Sequence, residues 1–174
     1  MDVISHRLLI TTCIALAVLP LGGCNSSAQP TENPQALQVV TFPNGPVEFQ
    51  MPTSYSLQLE PDETVAITPG DVRGITIRLN LHNLPSDMAA EFVEKQASDK
   101  GLEVTQVGDK TVFSETGIHS SGGRQYDMTF WQIGFGDALV VLSAEVDQSQ
   151  SDPSVLTPIF EEISKITRSL EKRK

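Results

Sequence analysis

Residues 102–146 read LEVTQVGDKTVFSETGIHSSGGRQYDMTFWQIGFGDALVVLSAEV, and this stretch decides the fold. Its turn signals are Gly108-Asp109, Ser121-Gly122-Gly123 and Gly134-Phe135-Gly136-Asp137. Glycine supplies the positive φ that tight hairpin loops require. The runs between the turns are rich in β-branched and aromatic residues, which fit a pleated surface. Four strands are predicted: Leu102–Val107, Lys110–Ile118, Arg124–Ile133 and Ala138–Val146, joined as an antiparallel meander. Strand side chains alternate between faces. Tyr126, Met128 and Phe130 therefore share one face, and Thr129, Trp131 and Ile133 the other.

Upstream the same period continues. Asn44-Gly45 is a hairpin signal between Val39–Phe42 and Val47–Met51, where Val47, Phe49 and Met51 alternate with Glu48 and Gln50 until Pro52 stops the strand. Ser56–Leu59 and Thr64–Thr68 are short strands around the acidic turn Glu60-Pro61-Asp62-Glu63. In Gly74–Leu81, Ile75, Ile77, Leu79 and Leu81 alternate with polar residues. The period then changes. Ser86–Lys100 reads as a helix, with Ser86 or Asp87 as cap, Met88, Phe92, Val93 and Ala97 as its apolar stripe, and Gly101 as stop. Thr157-Pro158 opens a second helix, whose Ile159, Phe160, Ile163, Ile166 and Leu170 fall on one face. Lys172, Arg173 and Lys174 close it. Strands, helix, four strands and helix make an α+β fold: an antiparallel sheet of about six to eight strands covered by two helices.

The beginning of the chain is of another kind. Leu8–Leu21 is a short apolar run behind His6 and Arg7, too short to cross a bilayer with ease and suited to the core of a signal peptide. It ends in Leu21-Gly22-Gly23-Cys24, which resembles the bacterial lipobox. That resemblance implies lipidation of Cys24, cleavage before it and acylation of the new terminus. Two or three acyl chains anchor stably where one is marginal. Residues 1–23 are thus read as signal peptide and 24–38 as lipidated cysteine and flexible tether, with Asn25–Gln38 spanning on the order of 20 Å. Residues 39–174 are read as one domain. Asn25, in place of aspartate, leans toward the outer membrane, on its periplasmic face, rather than the inner membrane.

The chain has 174 residues and a formal net charge of −10, with 39% apolar and 20% charged residues. That composition is globular, and the acidity disfavours nucleic acid and anionic headgroups. The two cysteines are Cys13 and Cys24, so no disulfide or thiolate metal site is expected in the folded domain.

The order of elements resembles the PsbP-like and DcrB-like domains. The matching residues are Phe49-x-Met51-Pro52 with Tyr55, the helix Ser86–Lys100, the aromatic strand Tyr126–Trp131, and the closing helix with Phe160, Ile163 and Leu170. The resemblance covers residues 47–171 and implies a binding or assembly factor, as in an extrinsic photosystem subunit. It brings no catalytic motif.

Candidate chemistry is sparse. His119, Ser120, Ser121 and Asp127 hold the residue types of a hydrolase triad, but neighbours in a hairpin turn do not hold a nucleophile against an oriented base. His119 reads as a solvated turn residue. Gly122-Gly123-Arg124 leads into a strand, whereas a phosphate cradle leads into a helix. Glu60, Asp62, Glu63 and Asp71 lack calcium-loop spacing, and whether this loop holds a cation stays open. His82 and His119 have no matched third ligand for zinc.

Tyr126, Trp131 and His119 mark the candidate partner surface. The expectation is a membrane-anchored, non-catalytic binding or assembly module of the cell envelope, monomeric and without cofactor or metal. Two other readings stay open: an immunity protein whose acidic surface meets a basic toxin, and an envelope hydrolase.

Overall fold

The computed structural model describes residues 36–70, 72–150 and 152–173. The expected signal peptide, Cys24, most of the tether and Asp71 lie outside the described residues. Among those residues ten strands form two antiparallel sheets, accompanied by two α-helices and a 3-10 turn at Gln148–Gln150.

The strands are β1 (Leu37–Thr41), β2 (Val47–Pro52), β3 (Ser56–Leu59), β4 (Val65–Thr68), β5 (Ile75–Asn83), β6 (Thr105–Val107), β7 (Lys110–Ser121), β8 (Arg124–Phe135), β9 (Ala138–Asp147) and β10 (Glu171–Lys172). Helix α1 (Ala89–Lys100) follows β5, and α2 (Pro153–Ser169) follows β9. The main sheet has seven strands in the order β3-β4-β5-β9-β8-β7-β6, and every neighbouring pair is antiparallel. The central pair, β5 and β9, runs from Ile75 against Val146 to Asn83 against Ala138. A small sheet in the order β1-β2-β10 stands apart from it.

Alternation sends Ile75, Ile77, Leu79 and Leu81 to one face of the main sheet, where they join Leu142, Ile133 and Val140 in the principal core. Helix α2 closes this core with Ile159, Ile163 and Ile166, and the small sheet contributes Val47, Phe49 and Met51. A fully buried aliphatic side chain contributes about 1.5–3 kcal/mol, so this layer holds most of the fold. On the opposite face, Ala89, Val93 and Ala97 of α1 cover Phe113 and Leu139. Helix α1 comes close enough there that a Cβ on Gly134 of β8 would lie 2.3 Å from the Ala89 carbonyl oxygen.

The α+β class and the two covering helices stand as the sequence implied. The small sheet was not foreseen. Its closing strand is Glu171–Lys172, paired with Glu48 and Val47. These residues, expected to end the second helix, leave it because Leu170 adopts an extended ψ of 124°. Strand β1 begins at Leu37, inside the stretch read as tether, since Leu37 and Gln38 pair with Pro52 and Met51.

Both helix starts also differ. Helix α1 opens at Met88 with no side-chain cap, so neither Ser86 nor Asp87 caps it. Its buried stripe is Ala89, Val93 and Ala97, while Met88 and Phe92 are exposed. Small side chains win that face because the helix backbone lies almost against β8. Helix α2 opens five residues early, at Asp152-Pro153, a signal of the same kind as Thr157-Pro158. The Asp152 carboxylate accepts from the Ser154 N–H at 2.8 Å. Pro158 sits within the helix, where it lacks the N–H that would bond the Ser154 carbonyl.

Candidate functional site

Long strands β7 and β8 carry the three residues of the candidate partner surface, and the structure divides them between two faces. His119 and Tyr126 are cross-strand partners with ring centroids 6.5 Å apart. His119 lies within β7, not in the turn expected for it, because β7 runs on to Ser121. Trp131 points to the other face and meets Phe160 of α2, with centroids 6.0 Å apart and planes inclined at 53°.

Trp131 and Phe160 wall a crevice of about 350 Å³ between α2 and the β6–β7 end of the sheet. Val107, Val112 and Ile163 supply apolar lining, Ser164 and Thr167 hydroxyls. Among the described residues that line it, Glu103 alone is titratable. The Thr167 hydroxyl already donates to the Ile163 carbonyl at 2.9 Å. Such a crevice offers shape, aromatic faces and a few hydroxyls, and little to move a proton.

The other sequence candidates have structural employment. Asp127 pairs across the strands with Ile118, so alternation places it on the face opposite His119. It accepts from Gln148 Nε2 at 2.7 Å. Gly122 and Gly123, with φ of 58° and 77°, make the two-residue turn into β8. Glu60 lies 3.2 Å from Arg78, which also reaches Glu145 at 3.0 Å. Asp62 accepts from the Thr64 N–H at 3.2 Å. His82 is exposed near the end of β5. Among the described residues, no three His, Cys, Asp or Glu side chains converge as metal ligands.

Sequence reasoning missed one feature, a depression of about 750 Å³ lined by Lys110, Lys165, Arg168 and Lys172, with Asp109 and Glu171. The cations come from the start of β7, the last turns of α2 and β10, so no local motif announces them. Lys110 is buried, with Nζ 5.4 Å from the centre of the Phe135 ring and 2.7 Å from Asp109. The hydrogen bond from Lys110 holds the Asp109 carboxyl below its usual range, against the opposing effect of desolvation. Lys172 does the same for Asp137 from 2.6 Å. These ion pairs, together with the cations' place at the negative end of α2, account for the cluster structurally.

The chain matches no protein-family profile and no curated protein. It is similar to a protein of solved crystal structure from Bacteroides thetaiotaomicron, with a TM-score of 0.63, 14% identity, and coverage of 79% of this chain and 48% of that one. The chain thus spans about half the length of that protein. At that identity the likeness is one of fold. Matches also include cyanobacterial PsbP (CyanoP) from Synechocystis, with a TM-score of 0.35, 12% identity, and 87% of this chain against 98% of that one. LpqN, involved in cell envelope biogenesis of Mycobacterium tuberculosis, matches with a TM-score of 0.46, 12% identity, and 83% against 88%. Those two scores lie below the range from which a shared fold is argued. Among the described residues, no helix is long and apolar enough to cross a membrane.

Proposed function

We propose that the protein is a lipid-anchored component of a bacterial cell envelope, held through Cys24, whose folded domain is a non-catalytic binding or assembly module. The observation that carries the second half is the Trp131–Phe160 crevice, which has aromatic walls, hydroxyl groups and, among the described residues that line it, a single titratable one. Binding sites are typically apolar clefts with a few placed polar groups. The resemblance to PsbP-like domains agrees with this role. The Leu21–Cys24 motif supports the anchor and, with Asn25, a place on the periplasmic face of the outer membrane.

Comparison of the parent with Ser164→Arg tests the binding reading, because an arginine there fills the crevice from a half-buried position on α2. Each is immobilised and exposed to detergent-solubilised envelope. Material retained by the parent, lost by Ser164→Arg, and able to shift the emission of Trp131, the chain's one tryptophan, supports the reading. Equal recovery on both defeats it. Turnover of envelope material by the purified protein defeats the non-catalytic assignment.

A further inference from the structure

We propose that β7 is a dimerisation edge, through which two copies of the chain pair antiparallel about a twofold axis at Gly117 and join their main sheets into one. This goes beyond the binding role and departs from the monomer expected from the sequence.

Strand β7 is paired with β8 from Thr111 to Ser121. On its other side β6 covers only Lys110, Thr111 and Val112. The turns show which backbone groups are left. In a two-residue mirror-type hairpin, the flanking residues exchange both hydrogen bonds. Ser121 and Arg124 flank Gly122-Gly123, so odd-numbered residues of β7 bond to β8. Ser114, Thr116, Ile118 and Ser120 then direct their N–H and C=O groups outward, where no strand receives them among the described residues. Natural edges are commonly blunted by proline, lysine or a bulge. Ser114–Ser120 contains no proline and no lysine, and Ile118 in it is 69% exposed.

Gly117 is the second observation. Its φ is outside the left-handed region, and a Cβ placed on it would meet nothing within 4 Å. Neither conformation nor packing within the chain calls for glycine, which weakens a strand interior. A bulge, a bend or a neighbouring ligand or backbone are the usual settings of such a glycine; β7 keeps an unbroken register with β8 there, and a side chain at this position would stand out of the sheet plane, clear of a strand added at the edge.

The segment Ser114-Glu115-Thr116-Gly117-Ile118-His119-Ser120 is complementary to itself when reversed. About Gly117, Thr116 faces Ile118 of the second copy, Glu115 faces its His119, and Ser114 faces its Ser120. β-Branched residues meet each other, and the acid meets the base. Every contact off the axis occurs twice, as a twofold interface requires. Among registers that pair the outward backbone groups, this one alone sets Glu115 against His119. Glu115 keeps its bond from Lys100 at 2.7 Å within its own chain, and its carboxylate accepts from both.

The test is disulfide trapping in the full chain, in membranes of expressing cells. At the axis, Gly117 faces its own copy in a non-hydrogen-bonded pair, with Cα atoms about 4.5 Å apart. Gly117→Cys should therefore cross-link readily, and the site tolerates a side chain. After copper–phenanthroline oxidation it should give roughly tenfold more dimer than the parent chain or Gln58→Cys on the opposite edge. Adding Thr116→Pro removes an outward N–H and no bond to β8, so the dimer should vanish while Trp131 emission stays native. His119→Glu in the Gly117→Cys chain sets two carboxylates together and should also deplete the dimer without altering the backbone. A dimer yield no greater than the parent's overturns the proposal, as does equal trapping from Gln58→Cys. Cross-linking to a protein of another mass makes the edge a dock for a foreign strand and overturns the second copy.

Discussion

Gly134→Ala adds one methyl group where α1 crosses β8. The new carbon would lie 2.3 Å from the Ala89 oxygen, 2.6 Å from the Ala89 carbonyl carbon and 2.9 Å from the Ala90 nitrogen. Comfortable contacts of this kind are about 3.5 Å or more, so the shortfall is about 1 Å. It falls on helix backbone, which cannot rotate aside as a side-chain tip can. The φ of Gly134 lies outside the left-handed region, so the effect is steric alone. Relief requires α1 to lift, loosening Ala89, Val93 and Ala97 from Phe113 and Leu139. Overpacking costs about 1–3 kcal/mol, and the lost contacts place this case at the upper end. With a urea dependence of about 1–3 kcal/mol per molar, the midpoint should fall by roughly 1–2 M. Gly117→Ala is the control within one chain, the same exchange in the same sheet with nothing of its own chain within 4 Å, read at a protein concentration low enough that pairing through β7 does not contribute. It should leave stability level or raise it by about 0.5–1 kcal/mol. Urea unfolding of the chain from Pro34 onward, followed by Trp131 fluorescence and far-ultraviolet circular dichroism, reads both. Equal midpoints for Gly134→Ala and the parent, with unchanged slope, would refute the close approach of α1.

Cys24→Ala should abolish membrane retention and incorporation of labelled fatty acid, and unchanged labelling on fractionation would end the proposal of an anchor. Tyr55 gives a pH dependence. Burial first, and the charge of Glu162 second, push its phenol up to about 12, against about 10 in an unfolded chain. Its folded form resists ionising, so its contribution is complete below about pH 10 and is lost as pH rises through about 12. Tyr55→Phe should flatten the fall in urea midpoint across that window, and an undiminished fall would contradict the burial of Tyr55.

Much of the main sheet was legible because its determinants are local. Glycine pairs and alternating apolar residues mark β7, β8 and β9 nearly to their ends, and the same alternation separates Trp131 from Tyr126. The helix boundaries were less legible, since two Pro-containing signals compete for the start of α2 and the packing of Val155 and Leu156 against the principal core favours the first. The stripe of α1 was misread in part because Phe92 satisfies the helical period while the space beside Gly134 admits only small side chains.

By itself the sequence determined the α+β class, the strand meander, the faces of its side chains and the acidic balance of the chain. Each of these follows from neighbours a few residues apart, through turn geometry and side-chain period. Tertiary structure alone decided the small sheet, whose β10 reaches β2 across more than a hundred residues, as well as the crevice between Trp131 and Phe160 and the free edge of β7. Those features arise from surfaces that meet only when the chain has folded, and no local propensity encodes which strand will be left without a neighbour.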